Sequence, residues 1–180
     1  MAEDHKEPWL NYLALTTVVL AVCATLSTFR GSSYSTRAVL SQNQAANQWS
    51  YFQSKSIKGY LYEVQKEELE AELESDGANW SADKLNRYRN LAKAYGDRLA
   101  RYDSEKVEIQ QVARRLEAVR NHAQDHSRTF GVAVIYLQIA ILLCSISGLL
   151  KKKPLWLLGG MVGGIGVFYF LAGMLTPMVG

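Results

Sequence analysis

The nearest approach to a reactive constellation in this chain is His122-Ala-Gln-Asp125-His126. Two histidines four residues apart share one helical face and can grip a single metal ion. The inverted zinc-protease motif has this outline, but it carries Glu where Asp125 stands, and no third ligand is evident. The competing reading is a helix that carries His, Asp and Arg to the level of lipid headgroups. That reading asks for no further ligand, so no metal or other cofactor is expected.

Other polar groups stand out by position. Gln138 lies in the middle of an apolar stretch, where an amide usually finds a partner: it glues helices together or lines a pore, and gluing is favoured because no Asp, Glu, Lys or Arg accompanies it. Arg114, Arg115, Arg120 and Arg128 could meet anionic lipid, or form an ordinary solvated face interleaved with Glu117 and Asp125. Trp49, Tyr51, Phe52 and Tyr60 could make a recognition patch, although aromatics at helical spacing more often fill a seam, here opposite Val112, Leu116 and Val119. There is no phosphate loop, no nucleophile beside a base at a recognisable spacing, and no carboxylate pair with a reason for a raised pKa. The expectation is a protein that is not an enzyme.

The element that must carry these groups runs from Leu85 to Ala123. Its apolar positions, Leu85, Tyr88, Ala92, Tyr95, Leu99, Tyr102, then Ile109, Val112, Leu116, Val119 and Ala123, step by three and four as in a coiled-coil seam. Lys106 occupies one position of the cycle. The step from Ile109 to Val112 follows another step of three, which predicts a stammer that locally overwinds the coil.

Charge is distributed unevenly around this rod. None occurs between Glu7 and Arg30, between Arg128 and Lys151, or after Lys153. Since about 20 apolar residues cross a hydrocarbon core, three transmembrane helices are expected, the third from about Pro154 to Met174. From Gly31 to Arg128 there are 15 Lys or Arg against 14 Asp or Glu, a near-balance that gives no reason to expect nucleic acid as a partner. Cys23 and Cys144 both fall inside the apolar stretches, so no disulfide framework is expected in the polar part. Leu20-Ala-Val-Cys23 approaches a lipoprotein cleavage box, but Glu3, Asp4 and Glu7 outnumber Lys6 where a signal peptide wants positive charge, so the first span reads as retained.

The turn formers Gly31-Ser-Ser-Tyr-Ser-Thr36 predict that the chain leaves the membrane there and restarts a helix between Ser35 and Ser41. A first polar helix then spans Ser41 to Glu74, with Ala45, Trp49, Phe52, Ile57, Tyr60, Leu61, Val64, Leu69 and Leu73 in a less regular seam. Ser75 to Ser81 breaks it, and Ser81 is placed to cap the next helix. Seven acids in residues 63–76 and six bases in 84–101 would lie side by side in an antiparallel pair; the alternative is two solvated faces that never meet.

The expected fold is therefore all-α: three transmembrane helices with a long antiparallel helical hairpin, coiled-coil-like, inserted between the first and second. Its parts are an N-terminal tail and first span in residues 1–30, an extramembrane hairpin in 31–128 with its tip near 75–81, and a transmembrane hairpin in 129–180. Within the last span Gly159 and Gly163, and Gly160 and Gly164, form two overlapping small-xxx-small pairs suited to close helix packing, within a subunit or between copies. The dense cluster Lys151 to Lys153 places that short turn in the cytoplasm. The arm would then be periplasmic and the N-terminus cytoplasmic, against the opposing weight of the arginines near Arg30 and Arg128.

Three blocks resemble those of a bacterial family of membrane proteins known as a domain of unknown function (four-three-three-seven). They are Trp9-Leu-Asn-Tyr-Leu-Ala-Leu-Thr-Thr through Phe29, Gln48-Trp49 through Lys58, and Gly131-Val-Ala-Val-Ile through Trp156. The resemblance covers essentially the whole chain and implies a multi-pass protein of the bacterial inner membrane. It brings no activity and no catalytic residues. The leading expectation is a structural or scaffolding protein of the lipid bilayer that forms a homo-oligomer. The alternatives are a subunit of an oligomeric channel or transporter, and an adaptor whose arm binds a partner protein.

Overall fold

A computed structural model describes residues 8–176; the N-terminal tail of residues 1–7, with the acidic flank considered above, and the end of the chain at 177–180 lie outside the described residues. The described chain is all-α, with no strand. It consists of α1 (Pro8–Asp76), a single 3-10 turn (Gly77–Asn79), α2 (Ala82–Leu150) and α3 (Lys153–Leu175). By length and composition, each of the three helices contains a stretch able to cross a membrane.

The expected break at residues 31–41 does not occur: α1 is one helix of 69 residues. Two causes explain this. The hydroxyls of Thr16, Thr25, Thr28, Ser33 and Thr36 each donate to the carbonyl four residues earlier, at 2.7–3.0 Å, so they are satisfied inside the helix and do not compete with it. Gly31 serves close packing: a Cβ there would stand 3.2 Å from the Phe130 Cβ of α2.

Both reversals are built as their residue types require. The Lys84 N–H donates to the Ser81 hydroxyl at 3.4 Å and the Leu85 N–H to the Ser81 carbonyl at 3.0 Å, so Ser81 caps α2. Trp80 packs on Tyr88, with their ring centroids 4.6 Å apart. At the other end Lys151 takes a left-handed conformation, φ 51°, and the Lys152 N–H reaches back to the Ser147 carbonyl at 3.2 Å. This is a Schellman-type ending with lysine where glycine is usual. Pro154 then lies in the first turn of α3, where its missing N–H costs nothing.

The described chain divides into two compact units, one formed by residues 8–40 together with 119–176, the other by Ser41–Ala118. In the first, Leu20 and Ala24 of α1 pack with Ala133, Leu137, Ala140 and Cys144 of α2, and Trp156, Val162 and Phe170 of α3 close over them. The second unit is an antiparallel pair. Trp49 meets Glu117, Lys55 meets Glu105, and Tyr62 meets Arg98, so α1 numbers rise as α2 numbers fall.

The pair in the second unit revises the seam expected from sequence. Val112 is 44% exposed, whereas Ala113 is 0% exposed and takes the seam position. Steps of three and four then run evenly through Tyr102, Lys106, Ile109, Ala113 and Leu116, and there is no stammer. Leu85, Tyr88, Tyr95, Leu99, Tyr102 and Leu116 are partly buried as expected, and Ile109 is fully so. On α1 the inward positions are Ser41, Ala45, Gln48, Phe52, Lys55, Gly59, Tyr62, Lys66, Leu69 and Leu73. Ile57, Tyr60, Leu61 and Val64, which sequence reading placed in the seam, stand more than half exposed. The α1 seam is thus regular, but small and polar side chains supply six of these ten positions.

The acidic and basic blocks also pair differently from expectation. Among the described residues, no carboxylate of 63–76 forms an ion pair with a base of 84–101; Lys66 pairs with Glu70 and Arg87 with Asp83, each along its own helix. Aromatic contacts hold this part instead, with Tyr62 against Tyr95 and Tyr102 at 5.3 and 5.9 Å between centroids. The Arg98 guanidinium donates to the Tyr62 hydroxyl.

Candidate functional site

In the first unit, α3 is fitted to its neighbours by glycine. A Cβ at Gly163 would lie 2.8 Å from Leu20 Cδ2, one at Gly166 would lie 2.8 Å from Leu137 Cγ and 3.0 Å from its backbone N, and one at Gly173 would meet the Phe130 ring at 3.0 Å. Gly159 is similarly closed, 3.0 Å from Cys144 Sγ. The two overlapping glycine pairs therefore separate. Gly159 and Gly163 face inward, while Gly160 and Gly164 have nothing within 4 Å of where a Cβ would stand.

Gln138 also faces away from its own chain. It is exposed on α2, between the buried Leu137 and Ala140, beside the exposed apolar residues Ile135, Ile139 and Leu142. Among the described residues it makes no hydrogen bond. The helices it would glue are therefore not those of the described residues.

The two histidines meet, but in packing. Their ring centroids are 4.6 Å apart, and His126 stacks on Tyr34 of α1 at 4.7 Å and 15°. Tyr34 stacks in turn on Phe130. His126 is 6% exposed; burial lowers its pKa below the usual 6.5, the neighbouring His122 adds to this, and Asp125 opposes it. Asp125 is exposed, and among the described residues no three His, Cys, Asp or Glu side chains converge as metal ligands.

In the second unit, Trp49 donates through Nε1 to Glu117 at 2.9 Å and packs edge-on against Phe52, whereas Tyr51 and Tyr60 lie outside the seam. Lys55 reaches across to Glu105, which Arg101 also holds from one turn away at 2.8 Å. These two bases keep the Glu105 carboxyl below its ordinary pKa.

One feature of the first unit escaped sequence reading. Ser27, Gly31, Ser32 and Ser35 of α1, with Ser127 and Gly131 of α2, line a groove of about 340 Å³. Ser127 Oγ donates to the Gly31 carbonyl at 3.0 Å across the helix pair. Ser27 is 0% exposed, and its hydroxyl has no hydrogen-bond partner among the described residues. The signal was present as Ser27-xxx-Gly31-xxx-Ser35 and Ser127-xxx-Gly131, but the run reads more readily as a turn.

No curated protein and no solved structure matches this chain. A family model described as a domain of unknown function, DUF4337, matches residues 9–176. A match that spans Trp9 to Thr176 takes in all three helices, with both the glycine-fitted unit and the antiparallel pair, and the chain is a member of the DUF4337 family.

Proposed function

We propose that this chain is a three-span membrane protein that assembles with copies of itself as a structural or scaffolding element. Its antiparallel pair would stand outside the bilayer. The observation that carries this reading is Gln138, an exposed amide with no hydrogen bond among the described residues, in an uncharged apolar stretch. In hydrocarbon such a group is costly, and a neighbouring copy is the simplest source of a donor and an acceptor. Gly160 and Gly164, which have open space before them, support the same reading because they would let a second backbone approach.

On this reading the membrane is a bacterial inner membrane, as the resemblance implies, and the density of Lys151–Lys153 supports a cytoplasmic turn there and a periplasmic tip near Asn79. A cysteine at Asn79 should then react with an impermeant thiol reagent in intact spheroplasts. Labelling only after lysis reverses this orientation.

The decisive measurement is detergent-corrected mass. The wild type should be an oligomer, and Gln138→Leu should shift it toward the monomer; a monomeric wild type overturns the proposal. A channel is the second reading, since the same amide could line an opening between copies. Ion flux in liposomes that vanishes in Gln138→Leu would favour it. The hydroxyls of Thr16, Thr17, Thr25 and Thr28 add little to that case, because each donates to its own helix backbone.

A further inference from the structure

The geometry points to a binding site for the phosphate of an anionic phospholipid headgroup in the groove between Ser27–Ser35 of α1 and Ser127–Gly131 of α2. This rests on the membrane reading above. The groove lies where the apolar stretches of both helices end, at the depth a headgroup would occupy. Its hydroxyls are the donors that phosphate oxygens accept from. Thr28 and Ser127 already donate to carbonyls, but the Ser27 hydroxyl is fully buried with no partner among the described residues, which is costly unless a ligand or water supplies one.

Charge selects the class of ligand. α1 contains no Asp or Glu from Pro8 through Tyr62, and Arg30 adjoins Gly31 just as Arg128 adjoins Ser127. In the first unit the segments 27–40 and 119–131 carry Arg30, Arg37, Arg120 and Arg128 against the single acid Asp125. A basic collar at the end of apolar helices attracts anionic headgroups, each arginine near the surface being worth about fivefold in affinity. A zwitterionic headgroup offers the same phosphate but gains less from the collar. A helix of a second copy would fill small-residue space equally well, but it would not exploit the collar.

Gly131 makes the test clean. A Cβ there meets nothing within 4 Å, so Gly131→Leu should fill the groove without disturbing the fold. The full chain, extracted in a neutral detergent, would be titrated with phosphatidylglycerol, phosphatidylcholine and inorganic phosphate and read by native mass spectrometry. Phosphatidylglycerol should be retained in preference to phosphatidylcholine and should resist displacement by inorganic phosphate. Gly131→Leu should weaken its binding by about tenfold or more at unchanged thermal stability. Arg128→Gln should weaken it by about fivefold. Equal binding of both lipids, unaltered binding in Gly131→Leu, or displacement by inorganic phosphate would overturn the assignment. So would a change in oligomeric mass in Gly131→Leu with lipid binding intact, which would give the groove to a second copy. Extraction without detergent would defeat the membrane reading itself, and that is read before any lipid is added.

Discussion

Lys55 and Glu105 form an ion pair across the seam of the antiparallel unit, with the two side chains only 16% and 26% exposed. Lys55 occupies a seam position where a coiled coil would normally place an apolar group, Glu105 flanks the seam beside Lys106, and Arg101 holds Glu105 from the side. Such polar seam groups fix register, and removing one partner leaves the other poorly solvated. Glu105→Gln should therefore lower the melting temperature of the chain more than the double change Lys55→Met with Glu105→Leu. The pH dependence has a defined sign. Because hydrogen bonds to Lys55 and Arg101 hold the Glu105 pKa low, its contribution is full above the ordinary glutamate pKa and is lost as pH falls through the lower folded value. Thermal melts from pH 6 downward should show an acid-side loss that Glu105→Gln reduces; equal acid sensitivity in both proteins would remove the pair from this role.

His126 gives a second pH dependence in a different window. Its pKa is lowered in the folded chain, chiefly by burial beneath Tyr34 and also by His122, with Asp125 opposing. The unfolded chain therefore takes up a proton first. Stability contributed by neutral His126 is full well above pH 6.5 and declines as pH falls through that value, levelling below the folded pKa. Melts between pH 8 and 5.5 should show this decline, and His126→Phe, which keeps the stack on Tyr34, should flatten it. An unchanged slope in His126→Phe would assign the decline to another group.

The helical class, the three apolar stretches and the reversal near Gly77 were legible because each rests on a long run of like residues. The errors fell where one residue type serves two purposes. Gly31 and its serines read as a turn, but glycine at 31 answers to the approach of Phe130, a contact about 100 positions away in the chain that no local window contains. Val112 outranks Ala113 on any hydrophobicity scale, yet the even repeat needs the smaller residue at the tight position. Lys55 and Lys66 are charged residues that a hydrophobic pattern passes over, yet both are partly buried in the seam and leave Ile57 and Leu61 outside. The small-residue spacings of the Ser27–Gly131 groove were visible on each helix, but nothing in the sequence brings the two halves of its lining together, because they lie far apart in the chain.

The glycines of α3 should respond in opposite ways to the same small change. Gly166→Ala places a methyl group 2.8 Å from Leu137 Cγ and 3.0 Å from its backbone N, which cannot be relieved by a side-chain rotation alone. A cost of about 1–3 kcal/mol is expected, the usual range for overpacking. Gly160→Ala and Gly164→Ala meet open space, so neither should lower the stability of the single chain. Thermal unfolding in detergent at high dilution compares them directly. If Gly160→Ala is as damaging as Gly166→Ala there, the outward assignment of Gly160 fails.

The seam correction can be tested at two adjacent residues. If the repeat runs through Ala113, a charge at Val112 should be tolerated, since that side chain is 44% exposed; Val112→Lys should change stability by no more than about 0.5 kcal/mol. Ala113→Leu forces three additional heavy atoms into a position with no exposure, at a close approach of two helices, and should cost about 1–3 kcal/mol. A stammer at Val112 would require the reverse, because Val112 would then be the knob and Ala113 would lie on the rim. Chemical denaturation followed by helical circular dichroism, performed on both variants beside the wild type, distinguishes the two registers by the order of their midpoints.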